Sequence, residues 1–218
     1  MNKENILKVI KKLRESSDKR KFKQGFDVVV NLKQIDLKKP DHKVESFLVL
    51  PHGNGKKLKV CAFVDKELIN GAKAVFDRVV AKDDFPRVSK KELKNIAREF
   101  DFFVAQASCM VDIAKVFGKV FGPRNKMPNP KMGCVVPPTA SLAQVKERLN
   151  KTIRLQNKKE LIVKASIGKE SMSDEQILQN ITTTFDTILR GLPHDKQNIG
   201  SIYLKLTMSA PVQVGGKQ

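Results

Sequence analysis

Lys59-Val60-Cys61-Ala62-Phe63-Val64 is an apolar run of strand length with no polar alternation. Such a run is expected of a strand buried on both faces, the kind found in parallel sheets. Downstream, residues 68–73 read as a short helix and 74–79 as another strand-like run. Ser89-Lys90-Lys91-Glu92 has the form of a capping box, opening a helix to about Arg98. Residues 102–107 form a short apolar strand pattern and 111–117 a helix. Short buried strands alternating with helices predict parallel βαβ units, hence a Rossmann-like layered domain.

The pattern differs on either side. Ile6, Leu7, Ile10 and Leu13 recur at helical spacing, with Lys8, Lys11, Lys12 and Arg14 on the other positions. A membrane-surface peptide is the alternative, but the stripe is narrow and has no aromatic wedge. A cationic loop over 18–23 follows, then strands over 26–32 and 46–50 joined by a polar connection through Pro40 and Asp41. Pro51-His52-Gly53-Asn54-Gly55-Lys56-Lys57 is dense in breakers and is a candidate hinge. Beyond the middle segment, 121–138 is a loop rich in Gly and Pro. Ser141-Leu142-Ala143-Gln144 opens a helix, and a second crossing is expected near Asn150. Residues 152–156 and 161–167 read as strands. Ser173-Asp174-Glu175-Gln176 caps a long helix with the stripe Ile177, Ile181, Phe185, Ile188 and Leu192. Residues 201–208 form a strand with Ile202, Leu204 and Leu206 on one face and Ser201, Tyr203, Lys205 and Thr207 on the other.

The 218-residue chain carries 42 Lys and Arg against 23 Asp and Glu, a net charge of +19. Nucleic acid is the expected counter-charge for so basic a chain. Aromatics are 6%, with no Trp and one Tyr, so a binder built on rows of stacked bases is not expected. Cys61, Cys109 and Cys134 are scattered and flanked by apolar residues, which predicts three buried thiols in a reducing compartment. No stretch reaches the ~20 apolar residues of a membrane span, and the N-terminal residues lack a secretory signal pattern. A cytosolic protein is expected.

Catalytic signatures are missing from the sequence. It has neither GxxxxGK[ST] nor GxGxxG, and His52-Gly53-Asn54-Gly55-Lys56 lacks the glycine spacing of a phosphate loop. His42, His52 and His194 have no metal-ligand spacing, and Ser108 and Cys109 sit in no nucleophile motif. No enzyme activity, cofactor or metal is expected.

Three stretches suit an anionic, structured partner. Lys19-Arg20-Lys21-Phe22-Lys23 offers phosphate-pairing cations around a ring that could pack on a ribose or base, or equally anchor the loop in the core. Thr207-Met208-Ser209-Ala210-Pro211 offers small polar groups able to meet a 2′-OH, or an ordinary strand end. Gly122-Pro123-Arg124-Asn125-Lys126-Met127-Pro128-Asn129-Pro130-Lys131-Met132-Gly133 is a stiffened cationic loop, either presented to a partner or wrapped on its own domain.

This last loop resembles the signature loop of the ribosomal protein L-one family, the protein of the lateral stalk of the large subunit. Leu50-Pro51-His52-Gly53, Lys21-Phe22, Gly168-Lys169-Glu170 and Thr207-Met208 match further family motifs in order along the chain. Compact length and Asn31-Leu32-Lys33-Gln34-Ile35-Asp36 look like the archaeal and eukaryotic branch. The resemblance implies an α/β protein of two domains. A discontinuous split-βαβ (ferredoxin-like) α+β domain, residues 1–58 and 151–218, would bind RNA. A Rossmann-like three-layer α/β domain, residues 59–150, would be inserted in it. It further implies RNA contacts at Phe22, Ser201, Thr207, Met208 and Ser209, with Lys21 and Lys169 on phosphates. The implied partners are large-subunit ribosomal RNA, the protein's own messenger, which it would repress, and exit-site transfer RNA, whose release it would assist. A monomer off the ribosome is expected, with no membrane partner. Two positions depart from the family: Ser209 and Asn125 stand where Gly is usual, and Gly permits the closest approach and a positive φ. The competing readings are an enzyme holding a nucleotide in the middle domain and a non-specific nucleic-acid coat protein.

Overall fold

A computed structural model of the chain describes residues 3–18, 20–39, 42, 44–157 and 160–216. Lys19, Pro40 and Asp41 of the sequence reading lie outside the described residues. In chain order the elements are α1 (Lys3–Ser16), β1 (Gly25–Leu32), β2 (Glu45–Val49), β3 (Val60–Val64), α2 (Ile69–Val75), β4 (Arg78–Ala81), α3 (Lys90–Glu99) and β5 (Phe102–Gln106). There follow α4 (Met110–Phe121), β6 (Val135–Val136), α5 (Leu142–Lys151), β7 (Thr152–Gln156), β8 (Ile162–Lys169), α6 (Asp174–Arg190), β9 (Ile199–Leu206) and β10 (Val212–Gly216). The chain packs as two compact units: residues 1–56 with 151–218, and residues 57–150.

The first unit is an antiparallel sheet in the order β10-β9-β1-β8, with β2 and β7 paired as a separate ribbon. Alternation dictates its two faces. Phe26, Val28, Val30 and Leu32 of β1 point into one core with Ile202, Leu204 and Leu206 of β9. Ile6, Ile10 and Leu13 of α1 and the Ile177, Ile181 and Ile188 stripe of α6 cover that face. Helix α6 begins with a full capping box, the Ser173 hydroxyl accepting from Gln176 N while the Gln176 side chain accepts from Ser173 N. Arg14 fastens α1 to the turn before α6. Its guanidinium meets Asp174 at 2.8 Å, donates to the carbonyls of Glu170 and Met172, and lies over the Phe26 ring.

The second unit is a parallel sheet in the order β4-β3-β5-β6. All five residues of β3 are buried. Cys61 and Phe63 join a core with Leu93 and Ile96 of α3 and Ile113, Phe117 and Phe121 of α4. Val60, Ala62 and Val64 point the other way by strand alternation. Two sequence expectations need correction here. The run 74–79 is not a strand: Ala74 and Val75 end α2, where Phe76 N donates to Ala72 O, and the strand starts at Arg78. The box at Ser89 is half made, since the Glu92 carboxylate turns to Arg78.

All three cysteines are buried in the second unit. Burial pushes the Cys61 thiol up to about 12 and the Cys134 thiol up to about 11 from 9.0, and raises Cys109 as well. The thiols therefore resist alkylation at pH 8 in the folded protein and react fully in denaturant, as mass spectrometry after a timed iodoacetamide pulse will read. The linkage follows the sign of the shift: above about pH 9 the unfolded chain releases protons that the folded one keeps. Stability of the second unit falls as pH rises from 9 toward 12.

Candidate nucleic-acid interface

β1 starts beside the ends of its two neighbours, with Gly25 opposite Lys169 of β8 and Phe26 opposite Leu206 of β9. Three chain segments therefore meet at one end of the sheet: 21–25, 169–172 and 206–209. Gln24, fully buried, ties them together. Its side chain donates to Ser17 Oγ at 2.8 Å and accepts from Met208 N at 3.1 Å. Its backbone carbonyl accepts from Glu170 N at 2.9 Å, and its N–H donates to the Glu170 carboxylate. Thr207 Oγ1 accepts from Gly25 N at 2.9 Å. The Ser209 hydroxyl accepts from Leu206 N at 2.8 Å, and Ser209 N donates to Leu206 O. These bonds close a turn, so β9 ends at Leu206, and Thr207 and Met208 lie beyond it, not within the strand as the sequence suggested.

Over this fixed backbone stand two apolar side chains in solvent. Phe22 is 52% exposed and Met208 61% exposed. The core-anchor alternative for Phe22 is thereby set aside. Lys21 is exposed, and the aliphatic stem of Lys169 packs against Gly55, whose φ of +69° favours a residue without Cβ. Ser209 has a negative φ, so the residue itself is not strained there. Lys21, Phe22, Lys169, Thr207, Met208 and Ser209 thus share one end of the sheet. Ser201 does not. It sits six residues back along β9, roughly 20 Å away at ~3.3 Å per residue, where its hydroxyl accepts from the Asn31 side chain at 2.8 Å.

The sheet face opposite the helices joins these positions. Asp27, Val29 and Asn31 of β1, Lys164 and Ser166 of β8, and Tyr203 and Lys205 of β9 alternate with the buried residues. Burial raises the Asp27 carboxyl, while the Ser166 hydroxyl and the Lys205 charge pull it back. Sequence reasoning missed Gln24, which no periodicity marks, and Asp27 and Asn31, which the alternation of β1 could have placed.

The loop 122–133 serves its own unit. Lys126 Nζ donates to Phe100 O at 2.6 Å, Arg124 to Lys94 O, and Asn129 Oδ1 accepts from Lys131 N. Asn125 takes φ +53° and Gly133 +73°. Asn is the residue after Gly most at home there, so the departure at Asn125 leaves the turn intact.

The sequence profile described as ribosomal protein L1p/L10e family matches residues 7–210. The chain belongs to that family. It is 40% identical to the large ribosomal subunit protein uL1 of Nanoarchaeum equitans, over 94% of this chain and 97% of that protein. It is 37% identical to the proteins of the same name from Pyrococcus abyssi, over 99% and 97%, and Methanothermococcus thermolithotrophicus, over 98% and 99%. Family members of this kind are ribosomal proteins, and these relatives are archaeal, in line with the branch the sequence resembles. Among the described residues no helix is long and apolar enough to cross a membrane, and no group of three His, Cys, Asp or Glu could hold a metal ion.

Proposed function

We propose that the chain binds large-subunit ribosomal RNA through the end of the β10-β9-β1-β8 sheet. The observation that carries this reading is the pair Phe22 and Met208, exposed over backbone held by Gln24 and Thr207. Exposed apolar side chains on an ordered backbone suit ribose and base faces, and Thr207 and Ser209 offer hydroxyls to a 2′-OH. Lys21 and Lys169 add phosphate contacts. Ser201, with Asn31, belongs to the same reading as a more distant contact on the same sheet face. The role is structural, non-catalytic and needs no cofactor. On the cytoplasmic ribosome the protein assists release of deacylated transfer RNA from the exit site. Off it, as a monomer, it represses its own messenger, whose structure would present the same recognition surface.

Thr207→Ala removes the hydroxyl that accepts from Gly25 N and one contact to RNA. Affinity for a large-subunit ribosomal RNA fragment is expected to fall by about 1–3 kcal/mol, while Thr207→Ser keeps most of it. Filter binding or fluorescence anisotropy reads the difference. Equal affinities for wild type and Thr207→Ala would remove this end of the sheet from the interface.

A further inference from the structure

Helix α3 carries Lys90, Lys91, Lys94 and Arg98. At ~100° per residue the four fall within an arc of about 100° on the helix surface. All four are exposed, whereas Leu93, Ile96 and Ala97 are buried in the core of their own unit. The two acids of the helix lie outside the arc and are engaged elsewhere, Glu92 with Arg78 and Glu99 with Lys59. Among the described residues no carboxylate pairs with any of the four cations. Arg124 adds a fifth positive charge alongside, donating to Lys94 O from an exposed position.

This arrangement opposes the stability of the helix. Lys90 and Lys91 are the first two residues after the Ser89 cap, where the helix dipole favours anions and disfavours cations. Lys90 and Lys94, and Lys94 and Arg98, are like-charged neighbours four residues apart, and Lys91 and Lys94 three apart. A merely solvated face gains nothing from such crowding. An anionic partner relieves it.

We propose that this face of α3 is a second RNA contact, one that grips the phosphate backbone without reading bases. The arc holds cations alone, with neither a stacking ring nor a small hydroxyl to distinguish nucleotides. Its length, ~12 Å from Lys90 to Arg98 at 1.5 Å per residue, spans a few successive phosphates of one strand. An anionic membrane is the other chemistry that such charge could meet, but the arc offers no apolar wedge to insert. The inference rests on the RNA-binding reading above, yet it concerns the other unit and is separable from it.

The test uses the full chain with Lys90→Gln, Lys91→Gln, Lys94→Gln and Arg98→Gln combined. Affinity is measured across a salt series for a large-subunit ribosomal RNA fragment and for a long RNA duplex of unrelated sequence. The slope of log affinity against log salt is expected to become shallower by about 3 on both RNAs, at ~0.7–0.9 per lost phosphate contact. The preference for the ribosomal fragment should be unchanged. Thr207→Ala is expected to do the reverse, losing preference and keeping slope. An unchanged slope in the quadruple variant overturns the α3 contact and leaves the sheet-end site standing. A wild type with no preference for ribosomal RNA overturns the sheet-end reading, while the slope still reports on α3. Loss of binding to phosphatidylserine vesicles with the RNA slope intact would make the face a membrane surface and overturn the proposal. The neutral variant is expected to melt no lower than the wild type, and a lower Tm would contradict the charge argument.

Discussion

Phe63→Ala is expected to destabilise the second unit by about 3–5 kcal/mol. Phe63 is fully buried in the inner strand β3 and is the hub of an aromatic cluster. Its ring centroid lies 4.7 Å from that of Phe117, 5.7 Å from Phe85, 5.8 Å from Phe103 and 6.0 Å from Phe121. These rings come from both neighbouring strand and helix layers, so truncation leaves a cavity that no single side chain can fill without abandoning another partner. The edge-on geometry with Phe85, at 84°, is lost as well. The chain supplies its own reporters. All three cysteines lie in the second unit and the single tyrosine, Tyr203, in the first. Urea titration followed by thiol reactivity should show the transition of Phe63→Ala moved to much lower urea. Tyrosine fluorescence should show the first unit's transition little changed.

Asn180→Ala is expected to cost the first unit about 2–4 kcal/mol, and the two probes should then exchange roles. Asn180 is fully buried: its side-chain amide donates to Gly53 O and Ile167 O, both at 2.8 Å, and its side-chain carbonyl accepts from His52 N. One side chain on α6 thus holds the turn after Leu50 and the edge of β8. Gly53 takes φ +64° in that turn, a conformation that glycine adopts without penalty. Alanine at 180 leaves two carbonyls and an N–H without their partner, and each buried polar group stranded in this way costs about 1–3 kcal/mol. Water can reach His52, so the total stays below the sum of the three. A tyrosine transition unmoved by Asn180→Ala would contradict this account of the turn.

Where one physical signal dominated, the fold was legible in the residues. The uninterrupted apolar run of β3, the alternation of β1 and β9 and the stripe of α6 each fixed an element and the side it buries. The Ser173 box marked the start of α6 because both of its bonds are local. Signals that depend on distant partners were not legible. β10 is a strand because β9 offers it an edge, and its Gly215 and Gly216 argue against one in isolation. β2 pairs with β7 across about a hundred residues of chain. Residues 74–79 misled because Val75 and Phe76 have high strand propensity, yet Phe76 N closes the last turn of α2 on Ala72 O. At the candidate site, Lys21, Phe22, Thr207 and Met208 drew attention by residue type and by the family resemblance. Gln24 gave no sign of itself, since a glutamine between a basic loop and a strand reads as surface. Its burial follows only from the meeting of three segments far apart in sequence. Ser201 could be placed on the correct face by alternation, but its distance from Thr207 is set by strand rise and not by sequence pattern.

The net charge of +19 would draw this chain to any nucleic acid, so affinity alone does not separate a specific RNA protein from a coat. Under the proposed function, specificity resides in the sheet-end surface. The most direct measurement is a hydroxyl-radical footprint of the protein on large-subunit ribosomal RNA, in moderate salt and with excess unrelated RNA duplex. One discrete protected segment that survives the competitor and fades with Thr207→Ala is the expected result. Diffuse protection that the unrelated duplex abolishes would contradict it.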